Sequence, residues 1–545
     1  MKIALCQINT IIGDIENNKK KIIEGYKKGT EDGADLVIFP ELSLVGYPPL
    51  DLVEKFEFRK TVNMAAAEIA AVTGDTGLIF GAVTEGDDLV GTDIHNSALL
   101  CYEGKVQFIQ HKSLIPNYDV FDEMRYFEPA SDIYVHEFKG EKLGISICED
   151  IWNDADYWYR RRYSVDPFKK LIDKGTTLLI NISASPYSYG KRRDRAEMLS
   201  VLTAHDKVPL AYVCCVGAQT ELIFDGASMC FDAAGKLAVL GKANKEDYLI
   251  FDTKKEYRGI EDTEGGFEKE VLESLIFGVK DYCMKLGFKK ALVGLSGGID
   301  SALVTYIAVQ ALGEKNIHVL LMPSEFSSEG SIKDSRKLIA GLGISSDMIS
   351  IQPVAEKINE VLKDAFQNRP SDITEENIQA RIRGLYLMAV SNKFNYLLLT
   401  TGNKSEMAVG YCTLYGDMSG GLAVIGDVYK TDVYGICNYI NREKEIIPAE
   451  IINKAPSAEL KHGQKDQDTL PEYGLLDKIL RMYLEENKEF NEITKIIGDA
   501  EVVKKVLRMV DINEFKRKQA APALRVSKKA FGYGRRYPIV QGWRK

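Results

Sequence analysis

The chain has 545 residues, 45% of them hydrophobic and 27% charged, and its 70 Lys and Arg against 79 Asp and Glu give a net charge of −9. At roughly 100–200 residues per domain this length excludes a single domain and allows about two to four, with ample apolar content for real cores. Near-average residue usage excludes collagen-like, disordered and disulfide-scaffold classes, and a pI near 5.5 leaves no basic footprint for a dedicated nucleic-acid binder.

The opening run Met1-Lys2-Ile3-Ala4-Leu5-Cys6-Gln7-Ile8-Asn9 turns polar too early for a signal-peptide core. No stretch reaches the roughly 18 uncharged apolar residues that would span a bilayer. A cytoplasmic protein with no membrane or nucleic-acid partner is expected. The nine cysteines are an odd number without a C-x-x-C pair, and Cys214-Cys215 sit in an apolar run, so reduced core thiols are expected rather than disulfides or a zinc site.

Short runs rich in Val, Ile and Leu punctuate the first 250 residues: Ile3–Cys6, Leu36–Phe39, Leu78–Ala82, Leu99–Cys101, Gly144–Cys148, Leu178–Ile182, Leu210–Val216 and Met229–Phe231. They read as buried strands, and Glu16–Gly29 and Arg192–His205 read as amphipathic helices between them. This is an α/β layered domain over residues 1–252. Residues 253–266 are charged, glycine-terminated and poor in apolar side chains, which marks a linker. A second domain, 267–545 with a C-terminal extension, follows. Its start alternates: helix Glu268–Leu286, strand Ala291–Leu295, helix Asp300–Leu312, strand His318–Met322, helix Ser331–Leu342 and a strand near Met348–Ile351. That order predicts βαβ units and a doubly wound parallel sheet.

Between the first strand and helix of that domain lies Leu295-Ser296-Gly297-Gly298-Ile299-Asp300-Ser301. Glycines here let the backbone approach an anion, and the free N–H groups of the next helix favour phosphate. No lysine follows the second glycine and the spacing does not meet G-x-G-x-x-G, which disfavours a P-loop kinase or a dinucleotide dehydrogenase. A loop that cradles pyrophosphate without a lysine suits attack at the α-phosphorus. The run resembles the S-G-G-x-D-S loop of the ATP pyrophosphatase superfamily, whose members adenylate a substrate and release pyrophosphate.

Further segments resemble the NAD synthetases within that superfamily: Asn377-Ile-Gln-Ala-Arg381, Leu399-Thr-Thr401-Gly-Asn-Lys-Ser-Glu406, Gly410 to Asp417, Lys430-Thr431 and Ala455-Pro-Ser457-Ala-Glu-Leu460. The resemblance implies ATP contacts from Ser296, Gly297, Gly298, Asp300, Ser301, Thr401 and Ser457. It implies deamido-NAD contacts from Asn377, Arg381 and Lys430, the last also toward phosphates. Asp300 and Glu406 would hold Mg²⁺, whose preference for hard oxygen ligands suits them.

Three strand ends of the first domain carry chemistry. Glu41 follows Val37-Ile-Phe-Pro40, Cys148 closes Gly144-Ile-Ser-Ile, and Ser183 and Ser185 follow Asn181-Ile; His111-Lys112 through Tyr118 lies between. A carboxylate, an amine and a thiol make an amide-cleaving set: Glu41 takes the thiol proton, Lys112 lowers the thiol pKa and holds the oxyanion, and Cys148 forms a thioester. Glu149 would oppose a thiolate if it faced inward, and is expected to face elsewhere. This constellation resembles the Glu-Lys-Cys triad of the nitrilase (carbon–nitrogen hydrolase) superfamily. It implies a nitrilase-like α/β sandwich, with Glu123 as a candidate second glutamate, and Tyr47, Tyr118, Trp152, Ser183 and Ser185 as candidates for a glutamine pocket.

Together the halves resemble the glutamine-dependent NAD synthetase family. L-Glutamine, deamido-NAD and ATP are the implied substrates, an enclosed path for ammonia is expected, and a homo-oligomer is expected. Asparagine synthetases would share the loop but use an N-terminal cysteine, and GMP synthetases use a cysteine within G-x-C-x-G; neither pattern is present. A non-catalytic nucleotide sensor is the alternative of another class, and the retained Glu41, Lys112, Cys148, Asp300 and Glu406 argue against it. The basic tail from Lys516 to Arg536 reads first as a solvated face.

Overall fold

Apolar runs too short for helices must find cover on both faces, and a pair of stacked sheets gives it. In the computed structural model, which describes residues 1–86, 91–154, 157–261 and 265–543, the first half forms two six-stranded sheets. One orders the strands Asp247–Asp252, Lys2–Gln7, Leu36–Ile38, Gly77–Glu85, Ile94–Tyr102 and Lys105–His111. The other orders Leu237–Leu240, Met229–Phe231, Leu210–Cys214, Leu178–Ser183, Glu141–Ile147 and Val135–Phe138.

Their inner faces share one core, in which Ile3, Leu5, Ile38 and Ile79 meet Ile145, Ile147, Ile180 and Val213. Helices Ile15–Glu31 and Phe56–Ala71 cover the outer face of the first sheet, and Pro167–Asp173 and Lys191–Asp206 that of the second. The result is an α-β-β-α sandwich. The run Leu210–Val216 does not stay one strand. It breaks at Cys215, whose N–H goes to Ser183 O, and Val216–Gln219 then pairs with Leu222–Asp225 in a separate ribbon.

Contacts divide the chain into units of residues 1–264 and 265–545. Of the expected linker 253–266, residues 262–264 lie outside the described residues. Thr253 and Tyr257 belong to the first unit: Thr253 N donates to Met1 O, and the Tyr257 ring lies on Phe251.

The second unit holds a five-stranded, all-parallel sheet in the order Ser345–Met348, Ile317–Leu321, Ala291–Gly294, Leu397–Thr400, Leu422–Ala423. Chain order reverses between Ala291–Gly294 and Leu397–Thr400. That topological switch point opens a crevice at the carboxyl ends of the strands. The edge strand starts three residues before the expected one at Met348. Its Ser345-Ser-Asp347 is exposed and carries no apolar run, and His318 secures it through Ser345 Oγ (2.9 Å) and Asp347 Oδ2 (3.1 Å).

The C-terminal extension is helical. Tyr473–Leu484, Phe490–Ile497 and Ala500–Ile512 bury Leu476, Ile479, Ile493, Val503 and Val506 around Ala408, Val409 and Tyr429. The basic tail is a solvated face only in part: Lys518, Lys528 and Arg536 are exposed, but Lys516 Nζ donates to the carbonyls of Gly410 (2.7 Å) and Cys412 (2.8 Å), and Arg517 and Arg535 pair with Glu514. Arg517 also donates to Ala408 O (2.6 Å), so with Lys516 on Gly410 O it satisfies carbonyls at the end of helix Lys404–Val409, and residue spacing in the tail carries no sign of these contacts.

Candidate functional sites

Glu41, Lys112, Cys148 and Ala184 each follow the carboxyl end of a strand, so the sandwich gathers them on one rim. Lys112 is fully buried; its Nζ lies 2.7 Å from Glu41 Oε1 and 2.9 Å from both oxygens of Glu123. Glu41 is fixed on both oxygens: Asn96 Nδ2 donates to Oε1 and the Ala184 N–H to Oε2, each at 2.7 Å. Gly81 lets the backbone around Glu41 come this close, since a Cβ there would collide with Leu42 N.

Cys148 ends the strand in the left-handed region, at φ +44°, and opens a short 3₁₀ turn. Such a conformation costs of order 1–3 kcal/mol and is held by its surroundings. Asp150 is the holding group: its carboxylate accepts the N–H of Ile147 (3.0 Å), Ser113 (3.0 Å) and Leu114 (2.8 Å), tying the cysteine turn to the lysine segment.

Electrostatics follow from burial. Burial and then Glu41 push the Cys148 thiol well up, while Lys112 pulls it down without prevailing. Lys112 does lower the thiol pKa, as expected, but burial and Glu41 outweigh it and favour the neutral thiol. Desolvation opposes the Lys112 charge, but Glu123 and Glu41 outweigh it and hold the ammonium well above its ordinary value. Burial lifts Glu123 to about 7 against the pull of Lys112.

Among the expected glutamine-pocket residues, the structure joins Glu123 and Tyr47 to the set; Tyr47 OH donates to Glu123 Oε1 at 2.8 Å. Tyr118 stands one step out, donating to the buried Glu149 (2.8 Å) with the Arg162 guanidinium 3.6 Å over its ring. Tyr163 OH also donates to Glu149, at 3.1 Å, so that carboxylate is engaged by phenols. Ser183 Oγ donates to Asn181 Oδ1 (2.7 Å) within the sheet, Ser185 is buried beside it, and Trp152 packs toward Trp158 on the outer-face cluster. Asn96 and Asp150 were missed. Asn96 sits in the polar run His95-Asn96-Ser97 at the start of strand Ile94–Tyr102, ahead of the apolar run Leu99–Cys101, and nothing in the sequence singles it out.

In the second unit the Ser-Gly-Gly turn leaves the strand Ala291–Gly294 at the switch point. Gly297 takes φ +81°, and a Cβ there would sit 2.6 Å from Ser331 O. Ser301 Oγ donates to Gly298 O (2.9 Å) and lies 3.1 Å from Ser296 Oγ, which closes the loop on itself. The loop borders a cavity of about 290 Å³ lined by Ser296, Gly298, Asp300, Ser301, Thr401 and Ser457, with Glu406 and Lys430. The Lys430 amine bridges the Asp300 carboxylate and Glu406 Oε1, the latter at 3.3 Å. Burial raises Glu406 to about 8, Lys430 opposing and Asp300 adding to the rise.

Asn377 and Arg381 are outside the cavity lining. Asn377 Oδ1 accepts from Thr413 Oγ1 (2.9 Å), and exposed Arg381 donates to Leu414 O (3.2 Å). Helix Ile373–Phe394 turns Ala380, Arg383, Gly384 and Leu387 to the cavity, a stripe with the i, i+3, i+4, i+7 spacing. Arg383 is the arginine of this helix that lines the cavity. Burial lowers its guanidinium to about 10, with Glu459 countering.

Comparisons with known proteins agree with this pairing of units. The carbon-nitrogen hydrolase family matches residues 2–259 and the NAD synthase family residues 271–520, so the chain joins a carbon-nitrogen hydrolase unit to an NAD synthase unit. It is 44% identical to a glutamine-dependent NAD(+) synthetase of Synechocystis and 42% identical to one of Thermotoga maritima, over 99% of this chain and 99% and 98% of those. A solved glutamine-dependent NAD+ synthetase from Acinetobacter baumannii, in complex with adenosine diphosphate, superposes with a TM-score of 0.78 at 39% identity, covering 99% of both chains. The chain belongs to the glutamine-dependent NAD(+) synthetase family.

Proposed function

We propose that the first unit hydrolyses L-glutamine at Cys148 and that the second adenylates deamido-NAD with ATP, after which ammonia displaces AMP to give NAD. The ligase reaction is that of the family; the division of steps and residues is our reading. The observation that carries it is a fully buried Lys112 ammonium shared by Glu41 and Glu123 beside Cys148. Such a charge is retained in a core only when its geometry is well satisfied, and hydrophobic packing would stabilise the fold as well.

Because burial favours the neutral thiol, Glu41 takes its proton as the sulfur attacks the glutamine carboxamide. Lys112 stabilises the oxyanion. Collapse breaks the C–N bond, the proton on Glu41 goes to the departing nitrogen as ammonia, and Glu41 then activates water to release glutamate from the thioester. In the second unit, a carboxylate is a poor electrophile until it carries a leaving group, hence adenylation. The Ser296–Ser301 loop cradles phosphate through its N–H groups, with Lys430 and Arg383 supplying positive charge. Asp300 and Glu406 converge on one amine, so they present two oxygen donors within reach of a single cation, which fits Mg²⁺ bound by one or two carboxylates together with phosphates. Bound there, Mg²⁺ would neutralise the pyrophosphate as it leaves.

Glutaminase kcat/KM is expected to fall as pH drops through about 7, because protonation of Glu123 weakens the two-oxygen hold that keeps the Lys112 ammonium in position. Glu123→Gln should lower activity and flatten that limb; a pH–rate profile unchanged by the substitution contradicts the assignment. The reading as a whole is tested by pyrophosphate release from ATP and deamido-NAD. Glutamine should stimulate it, and release indifferent to glutamine and ammonium alike would refute the coupling.

Among the described residues no helix is long and apolar enough to cross a membrane. A cytoplasmic site of action is supported by nine free cysteines, and a homo-oligomer by the exposed Leu385 and Met388, three residues apart on one helix.

A further inference from the structure

Four consecutive residues, Asn403 to Glu406, reach four different parts of the second unit. Asn403 Nδ2 donates to Asp300 Oδ1 (3.0 Å) while its Oδ1 accepts the Glu406 N–H (3.0 Å). Ser405 Oγ accepts the Lys430 N–H (2.9 Å) and donates to Asp477 (2.5 Å). Glu406 lines the cavity. Lys404 is completely buried and lines no part of it.

The Lys404 ammonium is satisfied by groups far along the chain. It lies 2.9 Å from Asp427 Oδ1 and 3.0 Å from Glu485 Oε1, and donates to Ser527 Oγ (2.6 Å) and Lys529 O (2.8 Å). Asp427 also takes the N–H of Val526 (2.8 Å) and Ser527 (2.7 Å) and the Ser527 hydroxyl (2.8 Å). Just upstream, Pro522 O accepts the Ala423 N–H (2.8 Å), Leu524 N donates back to Ala423 O (3.3 Å), and Ala520 and Ala521 line the cavity. The C-terminal segment is thus a wall of the nucleotide cavity, and its far end is pinned by the residue next to Asn403.

We propose that Lys404 is a positioning residue for the ATP-dependent step: it locks segment 520–529 against the turn 403–406, so that the Asn403–Asp300 contact and the wall at Ala520–Ala521 form together. A buried ammonium with four partners is rigid because loosening any one leaves charge unpaired in a water-poor core. That rigidity passes through one peptide bond to Asn403 and from its amide to Asp300. The inference rests on the reading of Asp300 as a group of the Mg-ATP site.

In full-length Lys404→Met, backbone amides of residues 520–529 should exchange at least tenfold faster. Ammonium-dependent NAD formation should fall at least tenfold in kcat, and the Mg²⁺ concentration for half-maximal synthesis should rise several-fold, with glutaminase turnover retained. General destabilisation would not move the Mg²⁺ requirement of the folded enzyme. Unchanged tail exchange overturns the proposal, and so does a loosened tail with normal kcat and Mg²⁺ dependence. Should Lys404→Met not fold, Ser527→Ala must show the same changes to a smaller degree, and its silence overturns the proposal equally. If Asp300→Ala also left synthesis intact, the site reading itself would be at fault; a dead Asp300→Ala beside a normal Lys404→Met rejects only the pin.

Discussion

Replacing Cys148 with alanine is expected to abolish NAD formation from glutamine, by about 10⁴-fold or more, while added ammonium still supports synthesis at close to the normal rate. The size follows from losing a covalent nucleophile in a set whose members act as a unit. Alanine is a clean probe here. It removes one buried sulfur, needs no more room, and meets the φ of +44° no worse than cysteine does. Lys112 is a poorer target, because its removal strands Glu41 and Glu123 facing each other in the core. The measurement is NAD formed with glutamine and with ammonium as separate nitrogen sources, alongside a thermal melt. Loss of both activities in a folded variant would show that Cys148 serves something other than glutamine hydrolysis.

Asp300→Ala should produce the mirror image: glutaminase activity persists, and synthesis falls about 10²–10³-fold with either nitrogen source, the loss typical when a group that organises transition-state charge is removed. The structure sharpens the expectation. Asp300 accepts from Asn403 and pairs with Lys430, so its loss frees the amine and leaves Glu406 as the remaining carboxylate of the pair. Pyrophosphate release and NAD formation measured together would locate the defect in adenylation. A variant that makes NAD at the normal rate removes the loop from the mechanism.

Both assignments were legible along the chain because they lie at strand ends. An apolar run that stops at Glu41 or Cys148, or a Ser-Gly-Gly turn between strand and helix, announces a side chain or backbone presented at the edge of a sheet. Groups that act from the middle of an element gave weaker signals. Asn96 sits inside a strand, and Arg383 is separated from the expected Arg381 by two residues, about 200° around the helix axis. Lys404 was quoted within a motif, yet its direction, away from the cavity and toward Ser527, follows from how a tail more than a hundred residues later folds back.

What residue type and order determined was chemistry and class: two α/β units, a thiol-amine-carboxylate set, and a Ser-Gly-Gly loop carrying Asp300 with a second carboxylate, Glu406, downstream. The family comparisons agree with that class. Packing decided the states of those groups. Burial pushes the Cys148 thiol up, lifts Glu123 to about 7 and Glu406 to about 8, and makes Arg517 and Arg535 of the basic tail internal counter-charges to Glu514. A protonation state depends on solvent access and on charges brought from distant positions, and both quantities exist only once the chain has folded. The net charge of −9 likewise constrained little, since the cavity's own cations (Arg383, Lys430 and Lys454), its carboxylates and a loop of N–H groups set the local field that ATP would meet.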